Sequence, residues 1–200
     1  MRLSALTPTR WASTGAVLAA LSAMTPALAH EEIYQVTLAG ATSPAAGSVL
    51  VTFDLDLVTL NVAGSFTGLG SASTGLAVHC CVATAGSGTS AAALAATTPS
   101  GFTFGVSSGS FDVTYDLTQG STYSPSFVTA SGGTVSDALN ALAVGAADGM
   151  AYISIGSAQF AGGEISGFLV AVSVPEPATY GMMFAGLIAV GAMTRHRKRD

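Results

Sequence analysis

The chain has 200 residues, only 8% of them charged, with 6 Lys and Arg against 11 Asp and Glu. All the cations (Arg2, Arg10, Arg195, Arg197, Lys198 and Arg199) lie near the two ends, so residues 31–173 carry Glu31, Glu32, Asp54, Asp56, Asp112, Asp116, Asp137, Asp148 and Glu164 and neither Lys nor Arg. Phosphate contacts need cations, which excludes nucleic acid as a partner of this body, whereas divalent cations or basic partners suit it.

Met1–Ala29 runs from Arg2 and Arg10 through the apolar stretch Trp11–Met24 to Ala27-Leu28-Ala29. That order of charge, apolar run and small-x-small is a secretory signal peptide, to be cut after Ala29 by signal peptidase. Residues 30–173 then form one domain, long enough for a core of its own. Ile33–Leu38, Ser48–Asp54 and Leu57–Phe66 alternate with period two and predict strands, the last two as a hairpin. Leu76–Val82 is a further short strand carrying His79 and both cysteines, Cys80 and Cys81. Ala83–Gly101, rich in small residues, is expected as a long surface loop. Phe102–Val106 and Ser110–Leu117 are strands by alternation. Thr134-Val135-Ser136-Asp137 reads as a helix start, with an acid in the first turn favoured by the dipole, and Ala138–Ala147 continues the helix until Gly149 ends it. Met150–Ile155 and Glu164–Val172 close the domain. Seven or eight strands and one short helix predict a mainly β fold, an antiparallel sandwich or barrel.

The last segment, 174–200, has three parts. Pro175 and Pro177 keep Val174-Pro175-Glu176-Pro177 extended. The uncharged run Ala178–Thr194 would rise about 26 Å as a helix, close to a bilayer core of about 27–30 Å. Arg195, Arg197, Lys198 and Arg199 then stop transfer on the cytoplasmic side. With Ala178 and Thr179 completing the motif 174–179, this tail resembles the PEP-CTERM sorting signal of Gram-negative bacteria. The resemblance implies an exported protein held in the inner membrane by a helix over about 178–194, with its basic end at 195–200. It also implies recognition by exosortase, which cuts near the motif. Val174, Pro175, Glu176 and Pro177 are then a protease's substrate.

A second resemblance covers the body. Tyr34–Gly40, Gly75-Leu76-Ala77-Val78-His79-Cys80-Cys81, Ala151-Tyr152-Ile153-Ser154-Ile155 and Gly162-Gly163-Glu164-Ile165-Ser166-Gly167-Phe168-Leu169 follow the order and spacing of the CHRD domain. The family implies an immunoglobulin-like β-sandwich or barrel, likened in fold to copper/zinc superoxide dismutase and without established enzymatic activity. Relatives place His-x-His in the middle segment and another His in the later one. Here Ala77 and Gly156 stand at two of those positions and only His79 remains; Ser166 stands where many relatives have Arg.

Two residues could hold a metal, His79 and Cys81, which share a face on the strand reading; a transition-metal site normally needs three or four N or S ligands. Adjacent trans Cα atoms lie about 3.8 Å apart, below the usual disulfide spacing, while export favours oxidation. Packed thiols, a vicinal Cys80–Cys81 disulfide and a metal ligand therefore all stay open. His30, as a new N-terminus, could chelate copper. Asp54 with Asp56, and Asp112 with Asp116, share strand faces where they could hold Ca²⁺ or simply face solvent. Glu164 has no basic or nucleophilic partner in the sequence and reads as structural. No catalytic constellation and no cofactor motif emerges. The expectation is a non-enzymatic protein, exported, transiently anchored, then released to the cell surface or matrix, with exopolysaccharide a candidate partner. The alternative is a secreted metal-binding or superoxide-dismutase-like protein.

Overall fold

A computed structural model describes residues 31–95, 99–172 and 186–188. Residues 29–174 form one compact unit; a second gathers 1–28 with 175–200. Of that second unit only 186–188 are described, as an exposed helical fragment. The expected signal peptide, the sorting motif, the rest of the apolar run and the basic tail lie outside the described residues. Among the described residues no helix is long and apolar enough to cross a membrane.

The body is mainly β because its alternating runs bury one face each. In β1 (Glu31–Ala39), Tyr34, Val36 and Leu38 turn inward; in β2 (Ala46–Asp54) it is Val49, Val51 and Phe53; in β3 (Thr59–Thr67) it is Leu60, Val62 and Phe66. β4 (Ser73–His79) and β5 (Gly109–Asp116) continue the pattern with Leu76, Val78, Phe111 and Val113. β6 (Tyr152–Ser157), β7 (Ile165–Phe168) and the two-residue β8 (Val170–Ala171) complete the sheet. All pairings are antiparallel, in the order β4-β6-β7-β1-β2-β3-β5, with β8 beside β1. The sheet curls into a half-barrel. At one end its outer strands are stitched through their leading segments: Leu69 N–H donates to Ser107 (3.0 Å), Ser73 N–H to Val106 (2.8 Å), and Gly105 N–H to Ser73 (2.9 Å).

Several expectations need correction. The strands form one continuous sheet, not a sandwich of two, because β1 carries partners on both sides and links the two halves. Residues 102–106 are not a strand, since the backbone of 105–107 is spent on that stitch. The surface loop expected over 83–101 is exposed at 83–89 but tied down further on, where Ala93 and Leu94 are buried and His79 and Ala92 form a bridge. β4 ends at His79, so Cys80 and Cys81 lie beyond the strand and the face alternation assumed for them does not apply. Asp54 closes β2 and its Oδ1 accepts the N–H groups of Asp56 (3.0 Å) and Leu57 (2.9 Å), an Asx-type turn in place of a shared strand face.

There are also two α-helices in the described residues where one was expected. α1 (Pro125–Ser131) starts with Ser124, whose side chain accepts the Phe127 N–H, and with Pro125 in the first turn, a start signal readable in Ser-Pro. α2 (Val135–Ala147) is the helix expected from the sequence; Thr134 caps it by accepting the Asp137 N–H and donating its hydroxyl to Asp137 Oδ2. α2 buries Ala138, Leu142 and Ala146 in the common core and leaves Val144 exposed. Leu142→Ala is expected to cost about 2–5 kcal/mol of stability in a urea titration, while Val144→Ala stays within about 0.5 kcal/mol.

Candidate functional site

The outer face of β4, β6 and β7 carries the polar cluster of the body. Register sets His79 opposite Tyr152 and Ala77 opposite Ser154, with Ser166 on the far side of Ser154. Paired residues of antiparallel strands share a face, so these side chains converge although they are far apart in sequence. The His79 imidazole lies flat on Tyr152, ring centroids 4.4 Å apart and 1° from parallel, and Tyr152 in turn touches Phe168 at 5.3 Å. His79 Nδ1 is 3.0 Å from the Ser90 carbonyl, and Nε2 is 2.9 Å from Ser154 Oγ. The Tyr152 hydroxyl also donates to the Ser90 carbonyl, at 3.1 Å. A carbonyl can only accept. Nδ1 therefore carries the proton, and neutral Nε2 accepts from the Ser154 hydroxyl. Burial lowers the His79 pKa below the ordinary 6.5, opposed by the carbonyls of Ser90 and Ala91. A cleft of about 250 Å³ opens beside the pair, lined by Gly75, Ala77, His79, Ser154, Gly156 and Phe104 among others.

Past the end of β4, Cys80 and Cys81 are joined in a disulfide. Cys80 is buried in the core and Cys81 is exposed. Both sulfurs rest on α2 at Gly145, where a Cβ would overlap each of them. A groove of about 450 Å³ runs along this side of α2, between Asp137, Asn140, Asp148 and Met150, with Cys81 in its wall.

Glu164 is buried at the entry to β7. Its Oε1 accepts from the Ser43 hydroxyl and the Gly70 N–H, both at 2.7 Å. The Ser157 hydroxyl, the Gly70 N–H and the Ser43 hydroxyl together hold its pKa below the usual carboxylate range. The carboxylate thus pins two loops of the body to β7 and does so as an anion. The other paired acids are occupied locally as well. Asp112 accepts from Asn61 Nδ2 (2.7 Å); Asp116 accepts from the Thr118 side chain and N–H, which lower its pKa.

Known protein families account for both parts of this chain. The CHRD domain model matches residues 27–169, the stretch that contains β1 to β7, the His79 face and Glu164. The chain belongs to the CHRD domain family. A model of the PEP-CTERM protein-sorting motif matches residues 173–198. No curated protein and no solved structure matches the chain. The sorting motif makes this CHRD protein an exported one, transiently anchored in the membrane and processed by exosortase.

Within the CHRD domain, the sequence candidates fall out as follows. Ala77 and Gly156, which stand where the family resemblance implied histidines, line one cleft with His79, so the departures from the family pattern are neighbours in space. His79 and Cys81 do not converge as a ligand set: both His79 nitrogens are hydrogen-bonded, and Cys81 is bonded to Cys80 and faces α2. No group of three or more His, Cys, Asp or Glu side chains is placed to hold a metal among the described residues. Val174, Pro175, Glu176, Pro177, Arg195, Arg197, Lys198, Arg199 and His30 lie outside the described residues. Sequence reasoning missed Ser90, Tyr152 and Ser154 as partners of His79. Ser154 is 75 residues from His79, and no motif spacing links them.

Two outcomes test this geometry. His79 has a lowered pKa, so between its folded value and 6.5 the unfolded chain binds more protons than the folded one. The stability gained by keeping the ring neutral is present above about pH 6.5 and is lost as the pH falls through the folded value. Melting temperature is expected to drop from pH 7 to pH 5, with His79→Gln flattening that part of the curve; the losses from Asp116 and Glu164 come lower, below about pH 4. Gly145→Ala is expected to destabilise by about 1–3 kcal/mol through collision with the two sulfurs, read by chemical denaturation.

Proposed function

We propose that this CHRD protein is a structural or adhesive component of the cell surface or extracellular matrix, delivered by signal peptidase cleavage and exosortase processing and retained among exopolysaccharide in a biofilm. The observation that carries the reading is the placement of every Lys and Arg in the two targeting segments, around a body that has none. Once both ends are cut away, the body is an acidic β domain with its two cysteines joined to each other, a composition suited to an oxidising exterior and to association through neutral sugars, divalent ions or basic partners. The fold proposed with it is an immunoglobulin-like barrel. The near-closure of the sheet between 69–73 and 105–107 supports that reading.

Mass spectrometry of the protein released by cells tests the delivery. The expected form begins at His30 and ends within or near 174–179. Full-length chain dissolved in the cytosol, with Arg2 and Arg199 both retained, would overturn it. For the role, deletion of the gene is expected to reduce matrix retention or cell adhesion. Unchanged biofilm mass and cohesion would overturn the structural reading.

A further inference from the structure

The His79–Ser154 pair goes beyond a surface role and depends on neither the matrix nor the sorting reading. We propose that Ser154 is a nucleophile activated by His79, and that the cleft beside it takes small uncharged carboxylic esters in an acyl-transfer reaction. Three geometric features carry this. The hydroxyl sits 2.9 Å from Nε2, within reach for direct proton transfer, and the tautomer fixed by the Ser90 carbonyl leaves Nε2 as the acceptor. Stacking on Tyr152 holds the ring, and the Tyr152 hydroxyl shares the Ser90 carbonyl with it, so the orienting group is itself held in place. The arrangement is nucleophile, base and orienter in sequence, with a backbone carbonyl in the third role.

The cleft supplies the remaining parts. Ala161 and Gly162 line it from the turn that follows β6. The turn that holds them passes over Ser154: a Cβ on Gly163 would stand 3.1 Å from Ser154 Cβ and 3.4 Å from its Oγ, and Gly163 has a φ of +125°. Glycine is needed there for both the conformation and the approach. Substrate class follows from the walls. Ala77 and Phe104 offer apolar contact, the volume of about 250 Å³ suits a short acyl group, and a body without Lys or Arg has nothing to hold a phosphate or carboxylate.

In the reaction, Ser154 Oγ bonds to the ester carbonyl carbon while its proton passes to His79 Nε2. The carbon–oxygen bond to the alcohol breaks and His79 returns the proton to the departing oxygen. Water then repeats the sequence on the acyl-serine, releasing the carboxylic acid and restoring Ser154.

The full chain in detergent is the material for the test, probed with a fluorophosphonate and with p-nitrophenyl acetate. The expected result is one phosphonyl group per folded chain, located on Ser154 by peptide mass, with hydrolysis of the acetate above buffer. Ser154→Ala is expected to abolish both, and His79→Gln to slow labelling by about 10²–10⁴-fold, with melting still cooperative in each variant. Because the labelled residue is identified on the unaltered protein, the result stands even if a variant fails to fold. A folded wild-type chain that takes no label, or takes it elsewhere than Ser154, overturns the proposal, as does an unchanged labelling rate in a folded His79→Gln. The pair would then be a hydrogen bond that ties β4 to β6.

Discussion

Strand β6 is the constraint on which the rest of the molecule depends. It is buried at every residue from Tyr152 to Ser157, so both of its faces must be covered and both of its edges paired. Ile153 and Ile155 go to the core. Tyr152, Ser154 and Gly156 go to the other face, where only small or stacked side chains fit under the covering segments. β4 and β7 supply the edges, with Tyr152 opposite His79 on one side and Phe168 on the other. A shift of one residue in this register would send Ile153 outward and Ser154 into the core, so the register is fixed by the hydrophobic pattern before any polar contact forms.

The polar cluster is a consequence of that register. His79 lies where β4 ends, and its ring needs partners for both nitrogens once it is half-covered. Ser154 and the Ser90 carbonyl provide them, and Tyr152 provides the flat surface. The segment bearing Ser90 is held there because Ala93 and Leu94 enter the core next to it and Ala93 N–H donates to Val78 (2.9 Å). A stretch that looks featureless as sequence therefore acts as a lid on the one histidine among the described residues. Glu164 plays the corresponding part at the other end of β7: a buried anion that gathers donors from two loops, in a body with no cation to satisfy it.

The disulfide belongs to the same economy of small residues. Cys80 reaches the core and Cys81 stays outside, and the sulfurs fit against α2 only because position 145 has no side chain. Gly145, Gly156 and Gly163 each stand where two segments meet closely. The high glycine content, 24 residues in the whole chain, is in this sense part of how a sheet with few long side chains packs.

The sequence by itself determined that a β body is followed by a sorting tail whose motif, apolar run and basic end stand in order. It determined most strands and the α2 helix too, because alternation, capping residues and targeting signals are local and can be read within a few residues. Only the tertiary structure decided that the strands form one curled sheet, that Ala93 and Leu94 enter the core and 102–106 is not a strand, and that Cys80 and Cys81 are paired beyond β4. It alone decided that His79 meets Ser154 and Ser90, and that Ala77 and Gly156 border the same cleft. The reason is physical. Side chains 75 positions apart become neighbours through strand register, and register is set by the summed burial of whole strands, which no short motif in the sequence records.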